Sequence, residues 1–364
     1  MIVWGSFYLW DNSASAFVDY EFAASDIPGA AVSLIGQTTD KIYLGLDRTF
    51  YAAFFELDTA GDYGTLLDWE YWDGSAWKNL PISRNYVLDA VGGVIQFRAP
   101  SNWDSTTLTG VESANTGLKT EDTSSGTAKY WIRVAASEVT TIATMKRSFP
   151  FPNYGYTTPS RIAQFLQLRQ DFSATTSPNI SEVERIIERI ESRIDRYSTN
   201  SWKPNFRQDE MYEFSRHGIV LKRQPAIKVI DLSIWDGSTF ALLAEGRSQD
   251  YFVDSKTGII PITRLLSIPF TYTRSSTAWG FGEFKRSLSV TYVWGRDFDE
   301  DVASGMVEDI TTKLASADII SNYDYTTIVP QGTDRYSLEQ KVNFWRENAD
   351  ERLEELRSVR LWVP

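Results

Sequence analysis

The sequence predicts an α+β multidomain chain: an N-terminal all-β sandwich, then a helical domain carrying an inserted small antiparallel β-domain. Three observations lead there. Apolar and polar residues alternate through the first part of the chain, as they do in half-buried strands. Three later segments repeat apolar residues at helical spacing. Between the first and second of these, the period returns to two.

The elements follow in order. "KIYLGLDRTFYAAFFEL" (41–57) is rich in aromatic and β-prone residues. "LLDWEYWDGSAWKNL" (66–80) reads as a hairpin, because Asp-Gly is a strong turn signal. A two-residue Gly-Ser loop there sets Trp72 opposite Trp77. Alternation sends Trp69 and Tyr71 to one face, Glu70 and Trp72 to the other. The same Trp-Asp-Gly-Ser core recurs in "IWDGSTFALL" (234–243), where Trp235 would face Phe240. The flanks differ, so the repeat is convergent turn chemistry and not a duplication. "GGVIQFRAP" (92–100) and "KYWIRVAA" (129–136) alternate as strands. The polar stretch 104–129 between them reads as a long exposed loop. Short strands with such turns suggest a sandwich of immunoglobulin-like or jelly-roll type. "FPFPNYGYTTP" (149–159) reads as a linker.

Beyond it, Thr158 and Pro159 make an N-cap and first-turn pair. "NISEVERIIERIESRIDRYS" (179–198) places Ile180, Val183, Ile186, Ile187, Ile190, Ile194 and Tyr197 on one helical stripe. Ser181 and Glu184 are spaced as a capping box. Strands are expected in 218–243, 250–262 and 287–295. Asp299 or Asp301 can cap a helix over 302–320, in which Met306, Ile310 and Leu314 share a face. Ser337 and Gln340 open a last helix with Leu338, Val342, Trp345, Ala349, Leu353 and Leu356 in a narrow stripe. The chain closes on the apolar tail "SVRLWVP".

Bulk properties narrow the function classes. The 364 residues suggest more than one domain. The absence of cysteine excludes disulfides, thiol nucleophiles and zinc–thiolate sites, and fits an intracellular origin. The first residues lack a basic region followed by an apolar run, so no signal peptide is expected. No apolar run reaches about 18 residues, so no membrane span is expected. A net charge of −12 argues against gripping DNA by its phosphates, but not against forming a wall past which DNA slides.

Enzymatic readings find little support. His217, the single histidine, precedes a glycine and a strand, the setting of a surface turn. A Ser-His-Asp triad would need it held by a carboxylate and facing a serine. No G-x-S-x-G or P-loop is present. Glu56 with Glu70, or Asp68 with Asp73, could serve a glycosidase only across a sugar-sized cleft; solvated strand-end acids are the simpler reading. Asp297, Asp299 and Asp301 alternate as in a calcium loop, but the glycine and the twelfth-position Glu are missing. They suit a helix N-terminus instead. No catalytic residue, metal or cofactor is expected. Trp69, Trp72, Trp77 and Trp103 could form a carbohydrate platform or a sandwich core. Of these, Trp72 is the candidate for an outward-facing partner contact.

Four pieces of the second half carry a resemblance. The long helix ends "RIDRYSTNSW". "GIVLKRQPAIKVIDLSIWDG" gives strand, Pro-marked turn and strand. "DYFVDSKTGIIPI" and "LSVTYVWGRDFDEDVASGMVEDITTKL" follow. In this order, from Thr158 to Arg357, the chain resembles the head–tail connector, or adaptor, proteins of tailed double-stranded DNA phages. It departs from them at "DFDED" (297–301), where the family often has proline. Trp69–Trp77 and Tyr130–Val134 resemble strands of the β-sandwich appendages of phage structural proteins.

The residue patterns give a sandwich over 1–148 and a linker over 149–158, and the resemblance implies an adaptor domain over 159–364. Within the last lie helices 159–198, a β-domain 210–295, helices 300–321 and 337–357, and a tail 358–364. It implies a non-enzymatic virion protein of the neck, assembled in the host cytoplasm. That protein would form a dodecameric ring between the portal protein and a stopper or tail-proximal neck protein. Double-stranded DNA would pass through without specific binding, and no membrane is involved. Portal docking falls to Arg357, Arg360, Leu361 and Trp362, and subunit–subunit helix faces to Ile186, Ile190, Ile194 and Trp345. The sandwich would reach capsid or fibre proteins. The alternative is a carbohydrate-binding or fibre-attachment protein working through the sandwich.

Overall fold

A computed structural model describes residues 3–25, 30–64, 67–85, 88, 92–213, 218–235, 239–246, 249–255, 257–262, 287–296, 303–323 and 335–358. Two compact units divide the chain, Met1–Tyr154 and Gly155–Pro364. The chain is mostly β, with 35% of it in strands against 25% in helices. This corrects the expected α+β class with a helical adaptor domain. The helical stripes of the second half are easy to read, while the strand over Asn205–Tyr212 is polar and carries no strand signal. Yet the strands of that half build two of the four sheets and an apolar core of their own.

The first unit opens with β1 (Ser6–Asp11), β2 (Ala16–Asp19), the single turn α1 (Glu21–Ala24), β3 (Val32–Ser33), β4 (Lys41–Leu46) and β5 (Phe50–Thr59). It continues with β6 (Leu67–Trp72), β7 (Trp77–Asn79), β8 (Ile82–Asn85), β9 (Gly92–Phe97), β10 (Ser105–Thr106), β11 (Lys129–Ala136) and β12 (Thr144–Pro152). One sheet runs β2-β1-β4-β11-β6-β7, with β10 added on β11; the other runs β3-β12-β5-β9-β8. Alternation turns Phe7, Leu44, Trp69 and Ile132 of the first sheet into one core with Phe55, Ile95 and Met145 of the second. Trp4, at the edge of this core, satisfies its indole N–H by donating to Ser148 Oγ at 2.9 Å.

Two expectations for this unit are revised. The "FPFP" stretch is strand as far as Pro152, pairing Pro150 with Ala53 and Pro152 with Phe50 of β5. Beyond Thr144 and Met145, which pair with β3, the other side of β12 is an edge, where proline is tolerated. The polar stretch 104–129 is not a free loop either. Leu108 and Asp122 are fully buried, and the stretch lies as a strap on the outer face of the first sheet.

In the second unit come α2 (Pro159–Phe165), α3 (Ile180–Ser198), β13 (Asn205–Tyr212), β14 (Ile219–Val220) and β15 (Ala226–Trp235). Then follow β16 (Phe240–Leu242), β17 (Ile259–Ile260), β18 (Leu288–Trp294), α4 (Ser304–Asn322) and α5 (Arg335–Ser358). The sheets are β13-β18-β15-β16 and β14-β17. They share a core of Tyr212, Leu221, Leu232, Val290, Tyr292 and Ile260, among others.

Thr158 caps α2, accepting from Arg161 N at 3.2 Å. The capping box of α3 sits two residues earlier than the Ser181/Glu184 spacing indicated. Asn179 accepts from Glu182 N at 3.0 Å, and Glu182 accepts from Asn179 N at 2.9 Å. Asparagine is as good a cap as serine, and the helix takes the earlier one. Helix α5 already runs from Arg335, so Ser337 lies inside it and does not cap it. Asp299 and Asp301 fall outside the described residues.

Candidate functional site

Pairing across the first sheet sets its outer face in three rows. The first holds Trp72 paired with Trp77 and, further along, Trp131, Gly45 and Ser6 in succession. The second reads Asn79, Glu70, Arg133, Tyr43, Tyr8, Asp19. The third runs from Asp68 through Ala135 and Lys41 to Trp10 and Phe17. A Cβ on Gly45 would lie 2.5 Å from the Trp131 ring, so glycine there lets the indole lie flat on the sheet.

The strap covers the β1–β4–β11 side of these rows. Tyr8, Trp10, Phe17, Tyr43 and Trp131 are buried beneath it, with Leu108. Its polar anchors are buried too. Asp122 accepts from Ser6 Oγ at 2.6 Å, Tyr8 OH at 2.7 Å and Lys129 Nζ at 2.8 Å. Burial, and then the Asp122 carboxylate, push the Tyr8 hydroxyl far above its ordinary pKa, so it stays a proton donor. Glu112 accepts from Tyr43 and, at 2.6 Å, from Lys41.

The β6–β7 side stays open. Trp72 and Trp77 are half-buried, their rings 5.7 Å apart at 67°, and Trp77 also packs edge-on against Tyr43. The Arg133 guanidinium lies 4.4 Å from the Trp77 ring centre and donates to Glu70 at 2.6 Å. Asn79 and Asp68 are exposed beside them.

The second unit offers a different surface. Trp235, Phe240 and Leu242 are 46%, 40% and 68% exposed, and Met211 is exposed as well. Trp235 pairs with Phe240, rings 5.3 Å apart, and Met211, Ser289, Ser233 and Leu242 follow one another across the sheet. Val220 and Ile259, paired on the small sheet, are exposed too.

Inside this unit lies a polar network. Glu191 accepts from the backbone N–H groups of Gly155 and Tyr156, and from Lys203 Nζ at 2.6 Å. Tyr156 OH donates to Asp195 and also contacts Ser201 Oγ at 2.9 Å. Asp195 is half-buried as a residue, but its carboxyl turns inward to Tyr156. Burial there pushes its pKa up to about 6, against the pull of Lys203. The sequence reading missed this network. The available signal was Glu191, an acid set within the Ile187–Ile190–Ile194 stripe at helical spacing.

The predicted residues are placed as follows. Ile186, Ile190, Ile194 and Trp345 are buried inside the chain's own second unit. Trp72 lies on the open side of the sandwich face, while Trp69 and Trp103 are in the core. Arg357 belongs to α5. Arg360, Leu361 and Trp362 lie outside the described residues, as do His217 and Asp297. Glu56 and Glu70 stand in different sheets, each on an arginine, Arg147 and Arg133, at 2.6 Å. Asp68 lies within β6 and Asp73 just after it, and Asp73 is held below the usual carboxylate range by hydrogen bonds from Ala76 and Ser75. Among the described residues, no group of three or more His, Asp or Glu side chains is arranged to hold a metal, and no helix is long and apolar enough to cross a membrane.

Set against protein-family models and curated protein sequences, the chain matches none.

Proposed function

We propose that the chain is a virion structural protein of a tailed double-stranded DNA phage, an adaptor between the portal vertex and the neck. The observation that carries the reading is the succession along the second unit. A short helix (α2), a long helix (α3), a compact pair of sheets, then α4 and α5 follow in the order of the connector family whose motifs the sequence resembles. Its work is assembly. Copies form a dodecameric ring, the C-terminal tail docks on the portal protein, and the net charge of −12 lets DNA pass without being gripped. The exposed apolar residues of the small sheets are available for neighbouring subunits.

Deleting residues 358–364 tests docking: the truncated chain should fold and fail to join portal-bearing heads. Electron microscopy of particles carrying a tagged chain tests the position. A collar below the portal is expected; a tail-tip or capsid-face location would overturn the reading.

A further inference from the structure

We propose that the open side of the sandwich's outer face, centred on Trp72, Trp77, Glu70 and Arg133, binds a neutral glycan. This goes beyond the adaptor reading and does not depend on it. The strap buries Trp131, Tyr43, Tyr8 and Trp10 but leaves the two hairpin indoles only half-buried. Trp77 packs against the covered cluster through Tyr43, ring centres 5.7 Å apart, and carries the Arg133 guanidinium on its ring, while Trp72 lies outside that cluster. The Trp72 ring, steadied by Trp77, is a surface to which the apolar C–H face of a sugar ring can stack.

The polar groups beside it match the rest of such a ligand. Glu70 and Arg133 form a pair with side-chain exposures of 31% and 15%, so neither side chain is sealed from solvent. Together they offer acceptors and donors to adjacent hydroxyls. Asn79 adds an amide in the same row. Trp72 and Glu70 are two residues apart on one face of β6, about 7 Å, which is the scale of a sugar ring and its substituents.

Charge selects the class. Arg133 is already shared with Glu70, so the patch presents no uncommitted positive field to an acidic sugar. Asp68, exposed nearby, and the overall charge of −12 repel one. Hexose and N-acetylhexosamine chains are therefore favoured over uronates or sialylated chains.

The test uses the full chain on an array of neutral and acidic oligosaccharides, with calorimetric titration of the neutral oligosaccharides retained. Binding to neutral hexose or N-acetylhexosamine chains is expected. Trp72→Ala should weaken it at least tenfold, and Glu70→Gln severalfold. Phe22→Ala, which removes an exposed aromatic elsewhere in the same unit, should leave it unchanged. Trp72→Leu keeps an apolar partner for Trp77 but no ring, so it guards against a hairpin that fails to fold. Near-ultraviolet circular dichroism checks each variant. Retention of no oligosaccharide, retention of acidic ones only, or full binding by folded Trp72→Leu would each overturn the proposal.

Discussion

Lys203 Nζ lies 2.6 Å from Glu191 Oε2, and both side chains are shut away from water. A buried ion pair is weak grounds for stability in itself, but a half-removed one leaves a charge with no compensation. Glu191→Ala should therefore lower stability by about 3–5 kcal/mol. It also releases the N–H groups of Gly155 and Tyr156. Replacing both partners with methionine should cost less than the single change. Urea denaturation followed by fluorescence compares the three chains; equal midpoints for wild type and Glu191→Ala would refute the network's role.

Asp195 sets a pH dependence. Its folded pKa of about 6 stands above the ordinary 3.8, so the folded chain holds an extra proton between those values. The stability this contributes is complete below the unfolded value and is lost as pH rises through about 6. Unfolding midpoints should thus fall between about pH 5 and pH 7.5 by the equivalent of about 1–2 kcal/mol, allowing for partial screening. Asp195→Asn should flatten the change and be the more stable chain at the upper pH. A pH slope unaltered by this substitution would count against the assignment.

The strap should loosen when Asp122 is lost. Asp122→Ala leaves the Lys129 ammonium among Gly5 O and Ser6 Oγ, with only the more exposed Glu121 carboxylate at 3.6 Å to balance it, and should cost about 2–4 kcal/mol. Trypsin reports on it directly, because Lys119 lies in the strap and pairs with Glu21 and Asp19. Cleavage after Lys119 should be much faster in the variant, with other sites little changed.

On the small sheets, Phe240→Lys and Leu242→Lys alter exposed side chains of a three-residue edge strand. Their effect on folding should stay within about 0.5 kcal/mol. Under the adaptor reading, they should reduce assembly into rings, seen by sedimentation velocity, without changing thermal stability. Unimpaired assembly would assign the subunit contact elsewhere.

Local chemistry was legible wherever a short pattern settles the outcome. Trp72 pairs with Trp77 and Trp235 with Phe240, as the Asp-Gly turns indicate. In the first of these, Gly74 sits at φ +92, and Asp73 Oδ1 accepts from Ser75 N and Ala76 N. The stripe of α3 was legible too, because Val183, Ile186, Ile187, Ile190 and Ile194 all bury. What escaped depends on partners distant in sequence. The strap looks free because its composition is polar; it is held because Asp122 meets Ser6 and Tyr8, more than a hundred residues away. The balance between sheet and helix in the second unit escaped for the same reason. The strand Asn205–Tyr212 is polar in sequence and is fixed by its pairing with β18, some eighty residues on.

Pro150 and Pro152 have a consequence for crowding. Both are buried on β12, opposite Ala53 and Phe50 of β5, and neither has an N–H to donate. That edge of the sandwich has a gap where a foreign strand would look for donors. Many copies of the sandwich can then be brought side by side at high local concentration without zipping together through β12. In any crowd of such sandwiches, the prolines act as insulation at this end of β12.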